Sequence, residues 1–366
     1  MNVPKASLAT HSPIKFVPTR LSRWNAAYFL FIALPSAAAS VQQPGLACTT
    51  IAQAAERLAC YDLALRTEQP VSTAQPASSD TNDKKHAASP AQQSVTTEEP
   101  PILARVWELP QSQKSGTFKL LPHRANYLMP VNYSSRINDF PASPSADHTV
   151  PSALTFDKTE AKFQLSFKVK AMENVLGDNG DLWLAYSQQS NWQMYNNGNS
   201  SPFRETNYEP EVIFSLRTDY KVLGWNWSLL NLGFVHQSNG RSLPLSRSWN
   251  RVYAQVGLER GPFTLLVRPW YRLPESSDQD DNPDIRDYIG SGDVRLAYVN
   301  RGHILSVLGK YSGDGGRGGL QAEWAFPLSG SLKGYVQVNN GYGANLIDYN
   351  HSQTTVGFGL LLLPWQ

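Results

Sequence analysis

At 366 residues the chain is long enough to bury a substantial core, as one large domain or two ordinary ones. Its 10 Trp, 16 Tyr and 25 Gly stand beside only 2 Cys and 4 Met. With a mildly polar overall hydropathy, that is the profile of a membrane barrel, whose lumen is polar and whose alternate residues meet lipid. The formal charge is +2. Removing the segment read below as an export signal takes away four basic and no acidic residues, which leaves −2 and no electrostatic reason to expect a nucleic-acid partner.

Residues 1–39 carry Lys5, Lys15, Arg20 and Arg23, then the apolar run Ala26 to Leu34, then Ser36-Ala37-Ala38-Ala39. This is the layout of a secretory signal peptide. The run is shorter than the roughly 18 apolar residues that a spanning helix needs. Residues 40–65 follow as a short Cys-containing segment, with Ile51, Ala54, Ala55, Leu58 and Tyr61 at helical spacing. Export would allow Cys48 and Cys60 to pair, whereas one continuous helix through both, rising about 1.5 Å per residue, would hold the sulfurs apart. Both alternatives stand at this stage. Residues 66–101 are Pro, Ser, Thr, Gln, Ala and charged side chains, a composition that buries too little apolar surface to order itself, and they are expected to be a disordered linker.

From residue 102 to 366 the dominant pattern has a period of two. Phe163, Leu165, Phe167 and Val169 alternate with Lys162, Gln164, Ser166, Lys168 and Lys170, giving one apolar and one polar face. Leu320, Ala322, Trp324 and Phe326 repeat it, as do Leu332, Gly334, Val336 and Val338, and then Val356, Phe358, Leu360 and Leu362. About a dozen such segments approach the roughly 9 to 11 residues of a tilted membrane strand. A soluble sandwich would alternate too. The export signal, the strand lengths and the aromatics near strand ends, Trp225, Trp227, Trp270 and Tyr271, favour a transmembrane barrel with interfacial girdles. The closing Trp365-Gln366 resembles the aromatic C-terminal signature of exported barrels. The predicted fold is all-β, an antiparallel transmembrane β-barrel of 12 strands with an N-terminal periplasmic extension.

The chemistry concentrates between Leu230 and Leu258. Parity puts Leu230, Leu232, Phe234, His236 and Ser238 on one face, and Asn250, Val252, Ala254, Val256 and Leu258 on one face of the return strand. The apolar members mark that face as the lipid side. A passive channel has no use for polar groups there, where they lose water and gain little; an enzyme acting on the surrounding lipid does. A hydroxyl becomes a nucleophile when a neighbouring imidazole takes its proton, and Ser238 and His236, two apart on one strand face, are spaced for that. Asn250 then accepts the other imidazole N–H and fixes the tautomer. A lone His beside a Ser is more often a satisfied surface pair; the shared lipid face and Asn250 on the adjacent strand turn the reading toward catalysis.

These residues resemble the outer-membrane phospholipase A family. The resemblance rests on Ser200-Ser201-Pro202-Phe203-Arg204-Glu205-Thr206-Asn207-Tyr208-Glu209-Pro210, on His236 to Asn250, on Asp280-Asp281-Asn282-Pro283-Asp284 and on Leu346-Ile347-Asp348-Tyr349-Asn350. It implies a twelve-stranded barrel that cleaves both acyl esters of phospholipids and also lysophospholipids. It further implies calcium as cofactor, an outer-membrane location, and a homodimer that is active where the monomer rests. Carried across, the nucleophile matches Ser238, the base His236, the orienting residue Asn250, and an oxyanion donor the backbone N–H of Gly240. The calcium ligands match Ser200 from the partner subunit, Arg241 through its carbonyl, Ser246 and Asp281. Read alone, the Asp278 to Asp284 run is a solvated loop. Leu243 stands where the family commonly has an Asp that helps to bind calcium, a departure that bears on affinity. Gln188, on the face of Leu182, Leu184 and Tyr186, matches a polar residue at the family's dimer interface; a place at the headgroup level accounts for it equally well.

The competing reading is a porin or structural barrel without catalysis. For that protein the polar lumen residues Arg251, Gln255 and Glu259 would matter instead.

Overall fold

The structure is a computed structural model that describes residues 100–364 together with Gln53 and Arg57. The expected signal peptide, the linker as far as residue 99, Cys48 and Cys60, and the closing Trp365-Gln366 lie outside the described residues. Within the 40–65 segment, the Arg57 N–H donates to the Gln53 carbonyl at 3.0 Å, one helical bond.

Among the described residues, thirteen strands follow in chain order. They are β1 (Leu120–Pro122), β2 (Asn126–Ser134), β3 (Thr159–Met172), β4 (Asp181–Trp192), β5 (Phe203–Val222), β6 (Trp225–Ser238) and β7 (Ser248–Arg260). Then come β8 (Phe263–Arg272), β9 (Gly292–Asn300), β10 (His303–Ser312), β11 (Arg317–Ser329), β12 (Leu332–Gly341) and β13 (Gln353–Leu363). Each strand from β2 to β13 pairs antiparallel with its sequence neighbours, and β13 pairs back onto β2, so twelve strands close a barrel. The short β1 lies beside β3, with Leu120 opposite Val169 and Pro122 opposite Phe167. Closure removes the unpaired edges that an open sheet would expose.

The faces are inverted relative to a water-soluble protein. Leu165, Phe167, Leu184, Val212, Leu305 and Phe358 point outward and are exposed, whereas Lys162, Lys168, Lys170, Glu211, Arg251 and Glu259 are buried inside. In the bilayer the outer side chains meet hydrocarbon, and the inner ones must satisfy one another. They do so in clusters: Lys170 pairs with Glu108 at 2.7 Å and with Glu173 at 2.8 Å, and Arg204 pairs with Glu160 at 2.8 Å and Asp348 at 2.9 Å. One aromatic departs from the expected girdle. Trp270 is only 7% exposed and faces the lumen, edge-on to Trp249, while its neighbour Tyr271 is 61% exposed on the outer face. Adjacent residues on a strand point to opposite sides, so only one of the pair can reach the interface.

The barrel is closed from within at its short-turn end. Helix α1 (Ile102–Val106) brings Leu103 and, just beyond it, Trp107 and Leu109 into a core with Trp183, Ile213 and Leu229. The Leu103 N–H donates to Glu259 Oε1 at 2.8 Å, and the Lys168 ammonium sits 3.4 Å from the Trp107 ring centroid. Gly257 is what lets α1 approach, because a Cβ there would stand 2.6 Å from Leu103 Cδ1. At the opposite end lie the long connections, including 135–158, 239–247, 273–291 and 342–352. The third of these holds helix α2 (Ile285–Ile289). In exported barrels short turns face the periplasm and long loops the exterior.

Candidate active site

Strands β6 and β7 end at the long-loop side, in a register that sets His236 opposite Asn250 and Ser238 opposite Ser248. Leu232 and Phe234, on the same face as His236 and Ser238, are 46% and 40% exposed, so this is the outer face that the alternation predicts. His236 Nδ1 lies 2.9 Å from Asn250 Oδ1. The Asn250 amide nitrogen in turn donates to Glu275 Oε1 at 2.8 Å. Ser238 stands two residues beyond His236 on that face, and its hydroxyl makes no hydrogen bond to the imidazole in this structure. Nucleophile–base bonds are commonly loose without substrate and tighten when it binds.

Beyond Ser238 the chain turns through Asn239 and Gly240. Gly240 has φ +63, a left-handed conformation that a side chain would strain. Asn239 organises the connection back to β7. Its Oδ1 accepts from the N–H groups of Arg241 (3.3 Å) and Arg247 (3.0 Å), and its amide donates to the Leu245 carbonyl (2.8 Å). Beneath the turn, fully buried Arg247 donates to the carbonyls of Pro244, Ser246 and His148. Burial holds its guanidinium below the ordinary arginine value.

Of the four expected calcium ligands, the structure joins two directly: Ser246 Oγ donates to Asp281 Oδ2 at 2.9 Å. Ser248 Oγ donates to the same oxygen at 3.0 Å, and His148 Nε2 lies 3.0 Å from Oδ1. The Arg241 guanidinium reaches back to the carbonyls of Phe203 and Arg204 at 3.2 and 3.1 Å. Ser200 is exposed in the β4–β5 connection, with left-handed backbone (φ 56), and is not brought against the other three. No group of three or more His, Cys, Asp or Glu able to hold a metal occurs among the described residues. The donors on offer are hydroxyls, a main-chain carbonyl and one carboxylate, all hard oxygens of the kind calcium takes. Leu243 is 54% exposed at the tip of the same connection. Gln188 lies on the outer face, where it accepts from the Tyr186 hydroxyl at 3.0 Å and donates to Ser190 Oγ at 3.3 Å.

Several of these residues escape sequence reasoning. Glu275 and His148 lie in irregular connections, and only tertiary contact reveals their partners. Asn239 is the exception, since an Asn-Gly pair after a strand is itself a turn signal. A cavity of about 200 Å³ in the lumen beside Arg124, Arg251, Tyr253 and Arg268 does not include His236, Ser238 or Asn250 in its lining. Those three are on the other side of the barrel wall.

A family model described as phospholipase A1 matches residues 103–362. The chain belongs to the phospholipase A1 family. It is 40% identical over 250 residues to the phospholipase A1 of Escherichia coli strain K12, which covers 68% of this chain and 83% of the relative. It resembles the crystal structure of the Salmonella typhi outer membrane phospholipase dimer with bound calcium, with a TM-score of 0.64 and 38% identity over 73% of this chain and 98% of that one. It also resembles the E. coli outer membrane phospholipase A as an active-site mutant with alanine in place of an asparagine. There the TM-score is 0.62 and the identity 37%, over 72% of this chain and 98% of the other. This phospholipase is thus an ester hydrolase and a Gram-negative outer-membrane β-barrel, not a porin.

Proposed function

We propose that the chain is a calcium-dependent phospholipase that cleaves both acyl esters of phospholipids, and lysophospholipids, from the lipid-facing side of its barrel. Ser238 is the nucleophile, His236 the general base, Asn250 the residue that orients it and Gly240 N–H the oxyanion donor. The observation that carries this reading is the 2.9 Å pairing of His236 with Asn250 on an outer face that also carries exposed Leu232, Phe234 and Val252.

With Asn250 accepting from Nδ1–H, Nε2 keeps its lone pair. It takes the Ser238 proton as Oγ bonds to the ester carbonyl carbon. The carbonyl oxygen becomes negative and is stabilised by the Gly240 N–H, a type of donor that contributes about 3 to 4 kcal/mol to lowering a barrier. His236 then returns the proton to the leaving alcohol oxygen as the C–O bond breaks, which leaves the acyl group on Ser238. A water molecule deprotonated by the same imidazole releases the fatty acid.

Arg241 through its carbonyl, Ser246 and Asp281 would hold calcium together with Ser200 of the partner subunit. Held there, calcium would supply positive charge for stabilising negative charge on the ester oxygen. Because one ligand comes from a second copy, the homodimer is the active form and the monomer rests; Gln188 belongs to the dimer interface. The Salmonella typhi relative, a dimer with bound calcium, supports this assembly, and the asparagine active-site mutant of the E. coli relative supports a role for Asn250.

The test is fatty-acid release from mixed phospholipid micelles by the refolded protein, with calcium at about 5 to 10 mM to fill even a weak site, and then with excess chelator. Release that the chelator abolishes is expected, as is its loss in Ser238→Ala. A Ser238→Ala protein as fast as wild type overturns the assignment. Release that survives chelation keeps the triad and removes the metal.

A further inference from the structure

We propose that Glu275 is a positioning residue for hydrolysis, setting which way the Asn250 amide faces and thereby which nitrogen of His236 is the base. The proposal rests on the assignment of His236 and Asn250 above and adds a fourth member to their chain.

An asparagine in the orienting position carries an ambiguity that an aspartate does not. Its side chain ends in an acceptor oxygen on one side and a donor NH₂ on the other. With the oxygen toward His236, Nδ1 carries the proton and Nε2 is free to take the one from Ser238. Flipped, the NH₂ would face Nδ1, the ring proton would move to Nε2, and the imidazole could no longer act as a base toward Ser238. Some neighbour must distinguish the two orientations.

Glu275 is built to do so. A carboxylate only accepts hydrogen bonds, and the group facing it at 2.8 Å is the Asn250 NH₂. Such charge-assisted bonds are among the stronger ones, and a bond at the amide nitrogen polarises the carbonyl that His236 meets. Glu275 is itself fixed. Its other oxygen lies 3.4 Å from Arg272 Nη2, and the same guanidinium pairs with Asp280 and donates to the carbonyls of Asn282 and Pro283 at 3.1 Å. The backbone is held as well, because the Leu273 N–H donates to the Asn250 carbonyl at 2.9 Å. The side chains of Arg272 and Glu275 are 8% and 15% exposed, so little water competes for the bond.

The test uses a reversal of sign that a merely structural residue would not produce. In the wild-type background Glu275→Ala should lower kcat by about 10- to 100-fold, the worth of a hydrogen bond to a charged group, and leave KM unchanged. In an Asn250→Asp background the same change should raise kcat. There the carboxylate has two equivalent acceptors and needs no orienting, and Glu275 is only a like charge beside it. Glu275→Asp should keep more activity than Glu275→Ala. Each protein is assayed at saturating calcium in mixed micelles, after its barrel is verified by circular dichroism, with Ser238→Ala in parallel. Loss in both backgrounds, no loss in the first, or no gain in the second overturns the role of Glu275. Full activity in Ser238→Ala instead overturns the assignment beneath it.

Discussion

Ser246 Oγ donates to Oδ2 of Asp281 at 2.9 Å, a bond that fastens the β6–β7 connection to the β8–β9 connection. With Ser248 on the same oxygen and His148 Nε2 at 3.0 Å from the other, both oxygens of the carboxylate already have protein neighbours. A cation arriving there must compete with these neighbours while a single carboxylate supplies the charge. Calcium affinity grows with the number of charged ligands. Leu243→Asp, at an exposed position of the same connection, should therefore lower the calcium concentration for half-maximal release about tenfold, and Asp281→Asn should raise it by at least as much. Calcium titration of fatty-acid release measures both; unchanged midpoints would place the metal elsewhere.

Much of this arrangement is legible in the sequence because a strand has only two faces. Phe163, Leu165 and Phe167 define the lipid side, and the β6–β7 hairpin then carries His236 and Asn250 to opposite positions on that side. The same rule misplaces Trp270 when adjacent Trp270 and Tyr271 are read together as one girdle, since only Tyr271 can point outward. Helix α1 is not legible, because five residues, Ile102–Val106, are too few to display a helical period. Glu275 is silent for a different reason: it lies in a connection with no regular geometry, and its partner is 25 residues away.

Arg204 is the hinge of the inner network at the long-loop end. It pairs with Glu160 and with Asp348, all three side chains nearly inaccessible. Asp348 also accepts from Asn345 and Gln353, which ties the 342–352 connection to the barrel. Arg204→Ala should cost about 3 to 5 kcal/mol of stability by leaving two buried carboxylates unpaired. Urea unfolding of the protein refolded into lipid vesicles should show the loss, with Arg217→Ala, whose ion pair to Asp178 is exposed, close to wild type.

The same pair predicts how acid acts. Burial alone would raise the Asp348 carboxyl, but the Arg204 guanidinium outweighs it and holds the group below the ordinary carboxylate value. A depressed folded value means stability that is fully present above the unfolded pKa of about 3.9 and lost as pH falls through the folded value. Without Arg204, burial is left to raise the group above its unfolded value, so Arg204→Ala should recover stability as falling pH protonates Asp348, where wild type only loses it. The urea midpoints of the two proteins should converge from pH 7 to pH 3; a gap that stays constant would show that Asp348 is not the group responsible.

The plug at the short-turn end separates hydrolysis from conduction. Leu103 of α1 rests on Gly257 and donates to Glu259, while the proposed site lies at the other end of β6 and β7 and on the opposite face of the wall. Gly257→Leu would overfill the contact, at a cost of about 1 to 3 kcal/mol where a core is already packed. One relief is for α1 to leave the lumen, giving up the Leu103 bond to Glu259, the Lys168 bond to the Val106 carbonyl and the contacts of a small apolar cluster. Planar-bilayer recordings should then show conductance steps absent from the wild type, while fatty-acid release at saturating calcium stays within about twofold, a change of under 0.5 kcal/mol in the barrier. Conductance without α1 and catalysis with or without it would mean that the lumen and the outer face are independent parts of one barrel. A matching fall in hydrolysis would mean instead that α1 supports the geometry of His236 and Asn250 through the length of β7.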